Sequence, residues 1–267
     1  MPNYGEADYW ENRYKNPDDS TFDWLEDYTS LKDMISNLNI PKKTGTILNL
    51  GCGNSELCEE MYDDGYLNII NIDISQNVID YMKKRNLSRD KMSFLKMDVR
   101  DLKIEDNSID FAVDKSTIDA LLCGNNSFQN VALMLKEVQR VLKVGGYYMI
   151  ISYGAPESRV FHLKRKFLDF EVQILTTPKD YENDDAEEGE EIDKNNYVYI
   201  CKKLPGADAK SKKFFDITYS ELEKEEEEYE KQTILDECDL NNEREGIQTK
   251  ENTEENNCIE QQNKKLP

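Results

Sequence analysis

Between Thr46 and Asp73 the chain places two short apolar runs, and each ends in residues suited to meet a ligand. The first reads T-I-L-N-L and stops at G-C-G-N-S, so that Gly51 and Gly53 form a tight turn before a helix. The second, I-I-N-I, ends in Asp73, 22 residues after Gly51. A strand that runs into a glycine turn, with a carboxylate about 20 residues on at the end of the next strand, is the arrangement that holds an adenosine at the carboxyl edge of a parallel sheet. The glycines give the ligand room to approach the backbone, and the carboxylate accepts hydrogen bonds from the ribose hydroxyls. The bland alternative is a strand–turn–helix connection that binds nothing.

The rest of the first 204 residues continues the alternation. Helical spacing covers Thr29–Leu38, Ser55–Tyr62, Val78–Arg85 (with Ser75 as N-cap) and Phe128–Leu142. Apolar runs at 67–72, 92–97, 109–113 and 147–152 read as strands, and Gly145-Gly146 read as the stop of the long helix. Two further strands, at 167–176 and 197–203, have no helix between them and suggest a closing hairpin. Five strand–helix units joined by right-handed crossovers give a doubly wound, mostly parallel α/β sheet. With the hairpin the strands number seven.

Charge divides the chain. Residues 1–181 carry a net −7 and residues 182–267 a net −14 of the total −21. The segment at about 182–196 has eight acidic residues and is expected to be a disordered loop, because it cannot bury enough apolar surface to offset chain entropy. Residues 205–267 are expected to form an acidic, largely disordered tail, with one charged helix at Glu221–Lys231. This bounds the folded domain at 1–204. So acidic a chain without a basic stripe argues against direct nucleic-acid binding, and a basic protein is the easier partner. The six cysteines include no C-x-x-C pair, and His162, expected at the surface, has no companions for a metal site. The opening residues show no basic segment followed by an apolar run, and no apolar stretch reaches about 20 residues. The expected setting is cytoplasmic, off the membrane, with reduced thiols; the nucleus stays open.

Two ligand classes use this geometry. A nicotinamide dinucleotide carries a pyrophosphate, and its fingerprint needs a third glycine where this chain has Glu56. A carboxylate there would repel phosphate. S-adenosylmethionine lacks phosphate and carries sulfonium and ammonium cations, which acidic surroundings favour. Glycine count and charge both point to S-adenosylmethionine.

Beyond these features the residues resemble a known family. Y-W-E-N-R-Y at Tyr9–Tyr14, F-D-W at Phe22–Trp24, L-G-C-G-N-S at Leu50–Ser55, M-D-V-R at Met97–Arg100, D-K-S-T-I-D-A-L at Asp114–Leu121 and the E-V-x-R-V-L-x-x-G-G run at Glu137–Gly146 are similar to motifs of class I, seven-strand, S-adenosylmethionine-dependent methyltransferases. Within that Rossmann-like class they resemble the lysine methyltransferases of elongation factor 1-alpha, of the endothelin-converting-enzyme-2-like N-terminal and methyltransferase-like 13 types. The resemblance covers residues 4 to about 203. It implies that Trp10, Tyr14 and Trp24 fold over the cofactor, that Gly51 contacts its amino-acid portion, with Gly53 among the cofactor-binding residues, and that Asp73 holds the ribose with Ile74 against the adenine. Asp98 and Val99 would read the adenine edge, and Lys115 would lie beside the cofactor. Two positions depart from the pattern: Ser116 stands where the family usually has glycine, and Asn49 where the wider superfamily often has a carboxylate.

The implied reaction is in-line methyl transfer to a neutral lysine amine, with Asp114 and Asp119 as candidate proton acceptors. Each residue also has a plainer reading: the tryptophans as core caps, Asp98 as a helix cap, Asp119 as a cap or a partner of Lys115, Tyr153 as a rim aromatic, and Cys52 as a turn thiol. Two other functions remain alongside: a small-molecule methyltransferase, and an inactive cofactor-binding module that acts through its acidic tail.

Overall fold

The computed structural model describes residues 3–15, 23–179, 194–229 and 231–232. Seven strands make one sheet: β1 (Thr46–Leu50), β2 (Asn68–Asp73), β3 (Met92–Lys96), β4 (Ile109–Lys115), β5 (Leu142–Ser152), β6 (Phe170–Pro178) and β7 (Asn195–Lys203). Their order is β3-β2-β1-β4-β5-β7-β6. The first five run parallel, and β7 lies antiparallel between β5 and β6. The expected α/β sheet with its closing hairpin is therefore the observed fold. The helices are α1 (Ala7–Arg13), α2 (Tyr28–Asn37), α3 (Leu57–Asp63), α4 (Gln76–Arg85), α5 (Thr117–Leu122), α6 (Ser127–Val141) and α7 (Pro156–Leu163). The chain leaves β1 toward β2 on one side, and β4 lies on the other. The carboxyl ends of β1 and β4 therefore sit at the switch point where crevices open in such sheets.

The central strands are apolar on both faces because helices cover both. One core cluster joins Ile47, Phe111, Val113, Met149, Ile151 and Val198 of the sheet to Leu31 and Ile35 of α2 and to Leu57 and Met61 of α3. Burial of each such side chain stabilises the fold by about 1.5–3 kcal/mol. A second cluster packs Val78, Ile79 and Met82 of α4 with Phe94 of β3, Tyr14 and Cys52. Ser75 caps α4 as expected, its hydroxyl accepting from Val78 N–H.

Several expectations need correction. The two glycines at 145–146 do not stop the long helix. α6 ends at Val141, and β5 begins at once. Gly145 has φ +81°, and the β4–β5 register shifts between Ile109 and Phe111, so the pair serves a bulge. The short helices α5 and α7 have too few turns to show a helical period. The first compact unit also runs past residue 204, to Ser220, and residues 207–220 are helical. Ala207 and Phe215 are buried there, and Phe215 meets the Phe167 ring edge-on at 5.0 Å. Lys203 is fully buried beneath this helix, with Nζ donating to Leu142 O and Asn107 Oδ1 and paired with Asp208. So few apolar residues among so many charges hid the packed stripe. The second unit starts at Glu221, and its residues 221–229 are helical. The acidic segment expected to be disordered lies outside the described residues, except that Asn195 and Asn196 already belong to β7. The tail beyond residue 232 lies outside them as well.

His162 is not at the surface. It is 2 % exposed, wedged against Phe128 and Phe161. Burial, with Arg165 and Arg159 adding to it, pushes its pKa down to about 3. It is thus neutral in the fold but ionises near pH 6.5 in the unfolded chain. Between those values the unfolded state binds more protons, so acidification from pH 6.5 toward 3 withdraws stability. The variant His162→Phe cannot show this loss. Urea unfolding at stepped pH should find its stability relative to wild type rising by up to about 1.4 kcal/mol per unit as pH falls below 6.5. A constant offset across that range would contradict a neutral buried imidazole.

Candidate active site

The parallel ladder of β1 and β2 continues past the ends of the strands. Cys52 N–H donates to Ile72 O at 2.9 Å, and Gly53 N–H donates to Asp73 Oδ2 at 2.9 Å. The other oxygen of Asp73 accepts from Ser75 N–H at 2.9 Å. The carboxylate is thus locked in orientation and still has acceptor capacity to spare. Burial raises the Asp73 pKa, and the Ser75 and Gly53 amides oppose that rise.

The two glycines of the turn do more than leave space for a ligand. Both have positive φ, +62° and +50°. A methyl group on Gly51 would lie 2.1 Å from Thr117 Oγ1, and one on Gly53 would lie 2.8 Å from the Tyr14 hydroxyl. The chain itself fills the space the side chains would need. Thr117 Oγ1 donates to Leu50 O at 2.9 Å, which ties the start of α5 to the end of β1.

Above these strand ends lies a cavity of about 500 Å³. All ten residues expected to hold a cofactor border it: Trp10, Tyr14, Trp24, Gly51, Gly53, Asp73, Ile74, Asp98, Val99 and Lys115. The N-terminal segment forms one wall. Glu11 of α1 accepts from Ser75 Oγ at 2.7 Å, and Asn77 Nδ2 donates to Glu11 O at 2.9 Å. Trp10 stacks on Tyr14 with centroids 6.1 Å apart, and its Nε1 donates to Tyr4 O. Burial, then the charge of Asp73, raises the Tyr14 pKa, so its hydroxyl stays protonated. Gly5 crosses Gly124 backbone to backbone, so close that a methyl group on Gly5 would lie 2.3 Å from Gly124 Cα.

Of the two carboxylates expected to accept a proton, only Asp119 borders the cavity. Asp114 is fully buried beneath it and serves the fold. It accepts from Tyr148 Oη at 2.9 Å, Thr117 N–H at 2.7 Å and Ile118 N–H at 3.1 Å, and so caps α5. Burial pushes its pKa up to about 7, against the Tyr148 hydrogen bond. Asp119 is 4 % exposed and paired with Arg159 at 2.9 Å; it also accepts from Ser152 Oγ and from Tyr153 N–H. Burial raises its pKa, and the Arg159 charge opposes the rise. Lys115 is paired with Asp23 rather than Asp119. Cys52 is a buried thiol whose pKa burial holds well above the usual range, which leaves it inert as a nucleophile.

The charged side chains that line the cavity are mostly neutralised within the protein. Arg100 grips Asp98 through Nε and Nη2 at 2.7–3.1 Å, Lys115 pairs with Asp23, and Asp119 pairs with Arg159. Burial would raise the Asp98 pKa, but the Arg100 contacts win and lower it. Among the described ionic residues of the lining, Asp73 has hydrogen-bond donors but no cation beside it. The cavity therefore presents about one net negative charge beside an aromatic wall. A ligand with a flat ring, two hydroxyls and a net positive charge fits that donor set. No cluster of His, Cys, Asp and Glu able to hold a metal occurs among the described residues.

Sequence reasoning passed over Asp23, Glu11, Arg100 and Thr117. Asp23 sat inside the quoted F-D-W motif, but nothing in the spacing announced its partner 92 residues away.

Comparison with known proteins decides the family. The methyltransferase domain profile matches residues 41–264. The chain belongs to the methyltransferase domain family. It is 45 % identical over 152 residues to the mouse protein named eEF1A lysine and N-terminal methyltransferase, and 43 % identical to the human one. Those matches cover 56 % of this chain and 22 % of each relative, so the chain spans about a fifth of their length. It is 31 % identical over 182 residues to mouse EEF1A lysine methyltransferase 4, covering 65 % of this chain and 71 % of that one. The fold is shared with geranyl diphosphate C-methyltransferase from Streptomyces coelicolor, at TM-score 0.57 and 12 % identity over 74 % of this chain and 97 % of that one.

The packing around the turn has measurable consequences. Gly51→Ala should cost about 3 kcal/mol, from a methyl group forced onto Thr117 and from the left-handed backbone. Adding Thr117→Ala should recover the steric part only; full recovery in urea unfolding would mean that the backbone angle costs nothing. Ser116, at φ +66°, has a buried hydroxyl with no partner. Ser116→Gly should therefore raise stability by about 1 kcal/mol in the same assay.

Proposed function

We propose that the chain is an S-adenosylmethionine-dependent protein-lysine methyltransferase, with elongation factor 1-alpha as its protein substrate. The observation that carries the cofactor reading is the oriented Asp73 carboxylate, held by Gly53 and Ser75 amides at the foot of an aromatic-walled cavity with about one net negative charge. The reading of the acceptor rests on the names of the relatives of about 30–45 % identity.

In this reading Asp73 would accept from the ribose hydroxyls with Ile74 against the adenine, and Asp98, steadied by Arg100, would read the adenine edge together with Val99. Trp10, Tyr14 and Trp24 exclude water from the reacting end. When bound, S-adenosylmethionine supplies an electrophilic methyl group on a cationic sulfur. The protein's contribution is alignment and desolvation. A lysine acceptor must arrive or become neutral, because its unperturbed pKa is about 10.4. Asp119 is poorly placed to take that proton, since Arg159 and two hydrogen bonds already occupy it. Its role is to hold the Ser152–Tyr153 turn at the cavity mouth. In this reading the proton passes to water, and Tyr153, which borders the cavity, is 50 % exposed. A cytoplasmic setting belongs to this proposal; among the described residues no helix is long and apolar enough to cross a membrane.

The test is direct. The purified chain should bind S-adenosylmethionine in calorimetry, and Asp73→Ala should weaken binding at least 100-fold while the variant still folds. Incubated with labelled cofactor and a cell lysate, the wild type should label a protein band that mass spectrometry identifies as elongation factor 1-alpha, with the methyl group on a lysine. Cofactor binding with label only in small metabolites would replace the protein-lysine reading with a small-molecule one. No binding at all would end the enzyme reading.

A further inference from the structure

Asp23 makes three contacts, all with groups at one end of the cavity. Its Oδ1 is paired with Lys115 Nζ at the end of β4 and accepts from Ser55 Oγ. Its Oδ2 lies 3.4 Å from Glu56 N, at the start of α3. The next residue, Trp24, lines the cavity, and Glu26 anchors the same stretch to β6 and β7 through Thr177 and Asn196. Lys115 is 8 % exposed and borders the cavity, yet Asp23 does not. Lys115 therefore borders the ligand space while its ammonium is held by Asp23.

The position of that pair matters because of the charge of the ligand. At neutral pH S-adenosylmethionine carries sulfonium, ammonium and carboxylate, a net +1. The product S-adenosylhomocysteine has lost the sulfonium charge and is neutral overall. An unpaired Lys115 beside the cavity would repel the first and leave the second nearly untouched. Such a repulsion is Coulombic, and solvent and salt screen it in part. A neutralised Lys115 leaves Asp73 as the charge that the ligand feels.

Building on the cofactor reading above, we propose that Asp23 is a positioning residue that sets charge selectivity: by neutralising Lys115 it lets the site favour the sulfonium donor over its neutral product. Asp23 acts through Lys115 and need not touch the ligand. This would lift product inhibition without any change in shape, since donor and product differ by one methyl group and one charge.

The experiment measures the dissociation constants of S-adenosylmethionine and S-adenosylhomocysteine by calorimetry on the full chain, for wild type, Asp23→Asn and Asp23→Glu. Asp23→Asn keeps the size and the acceptor oxygen that meets Lys115 and Ser55, gives up the weak 3.4 Å contact with Glu56 N, and removes the charge. It should weaken S-adenosylmethionine binding about tenfold and leave S-adenosylhomocysteine within about twofold, so that the ratio of the two constants shifts about tenfold toward the product. Asp23→Glu, which keeps the charge, should restore most of the ratio. Raised salt should shrink the Asp23→Asn defect, because the added repulsion is Coulombic. Equal loss for both ligands would overturn the proposal and make Asp23 a purely structural strap, and so would an unchanged ratio. If the wild type binds neither ligand, the cofactor reading fails and the proposal with it; wild-type binding with no shift in ratio rejects the role of Asp23 alone. Thermal unfolding of each variant checks the fold, and a variant that unfolds cooperatively near the wild-type temperature gives a valid comparison.

Discussion

The structure depends on two backbone amides that carry the β1–β2 ladder beyond its strands, from Cys52 to Ile72 O and from Gly53 to Asp73. Sheet pairing normally satisfies only the backbone. Here its last rung ends on a side chain, so the regular geometry of the sheet fixes the direction of a carboxylate. Everything on the cavity floor follows from that register. Thr117 can press against Gly51 only because the turn holds a left-handed backbone with no side chain, and Tyr14 reaches Gly53 for the same reason. The glycines that look like ligand clearance are also the contact points by which α5 and the N-terminal segment are seated.

Charge in the site follows a consistent rule. Both cations that line the cavity have a carboxylate partner within the protein, and Asp119 has a cation. Such pairs contribute little net stability: desolvation offsets most of the attraction in the buried Asp119–Arg159 pair, and solvent screens the partly exposed Asp98–Arg100 pair. Their effect is on the field: they remove charge that would compete with Asp73. A site can therefore be acidic toward its ligand and still contain Lys115 and Arg100.

The sheet and the cavity floor were legible because they rest on local signals: apolar runs, a glycine doublet and a carboxylate at fixed spacing. Of the ten cofactor residues that border the cavity, Gly51, Gly53 and Asp73 were marked by those signals, and the other seven by the family resemblance. The errors share a cause. Asp114 looked like a strand-end acid, but only its pairing with Tyr148, 34 residues on, shows that it is a buried cap. His162 looked isolated because its aromatic neighbour Phe128 is distant in sequence. The helix at 207–220 was obscured because charge dominates its composition while only a few residues, Phe215 among them, carry the packing. Asp23 needed a partner across 92 residues to acquire meaning. Single-sequence periodicity reports local order and is blind to such pairings.

The anchors of the N-terminal wall are spread along the chain. Glu11 waits for Ser75, Asp23 for Lys115, and Glu26 for Thr177 and Asn196. Contacts at such separations form late, because each must first close a long loop. In the chain the wall precedes all of these partners, and its last anchor exists only once residue 196 has been made. The two halves of the aromatic wall are therefore secured at different times: Trp10 and Tyr14 need nothing beyond α4 and β3, whereas the stretch that carries Trp24 is fully tied down only after Thr177 and Asn196 exist.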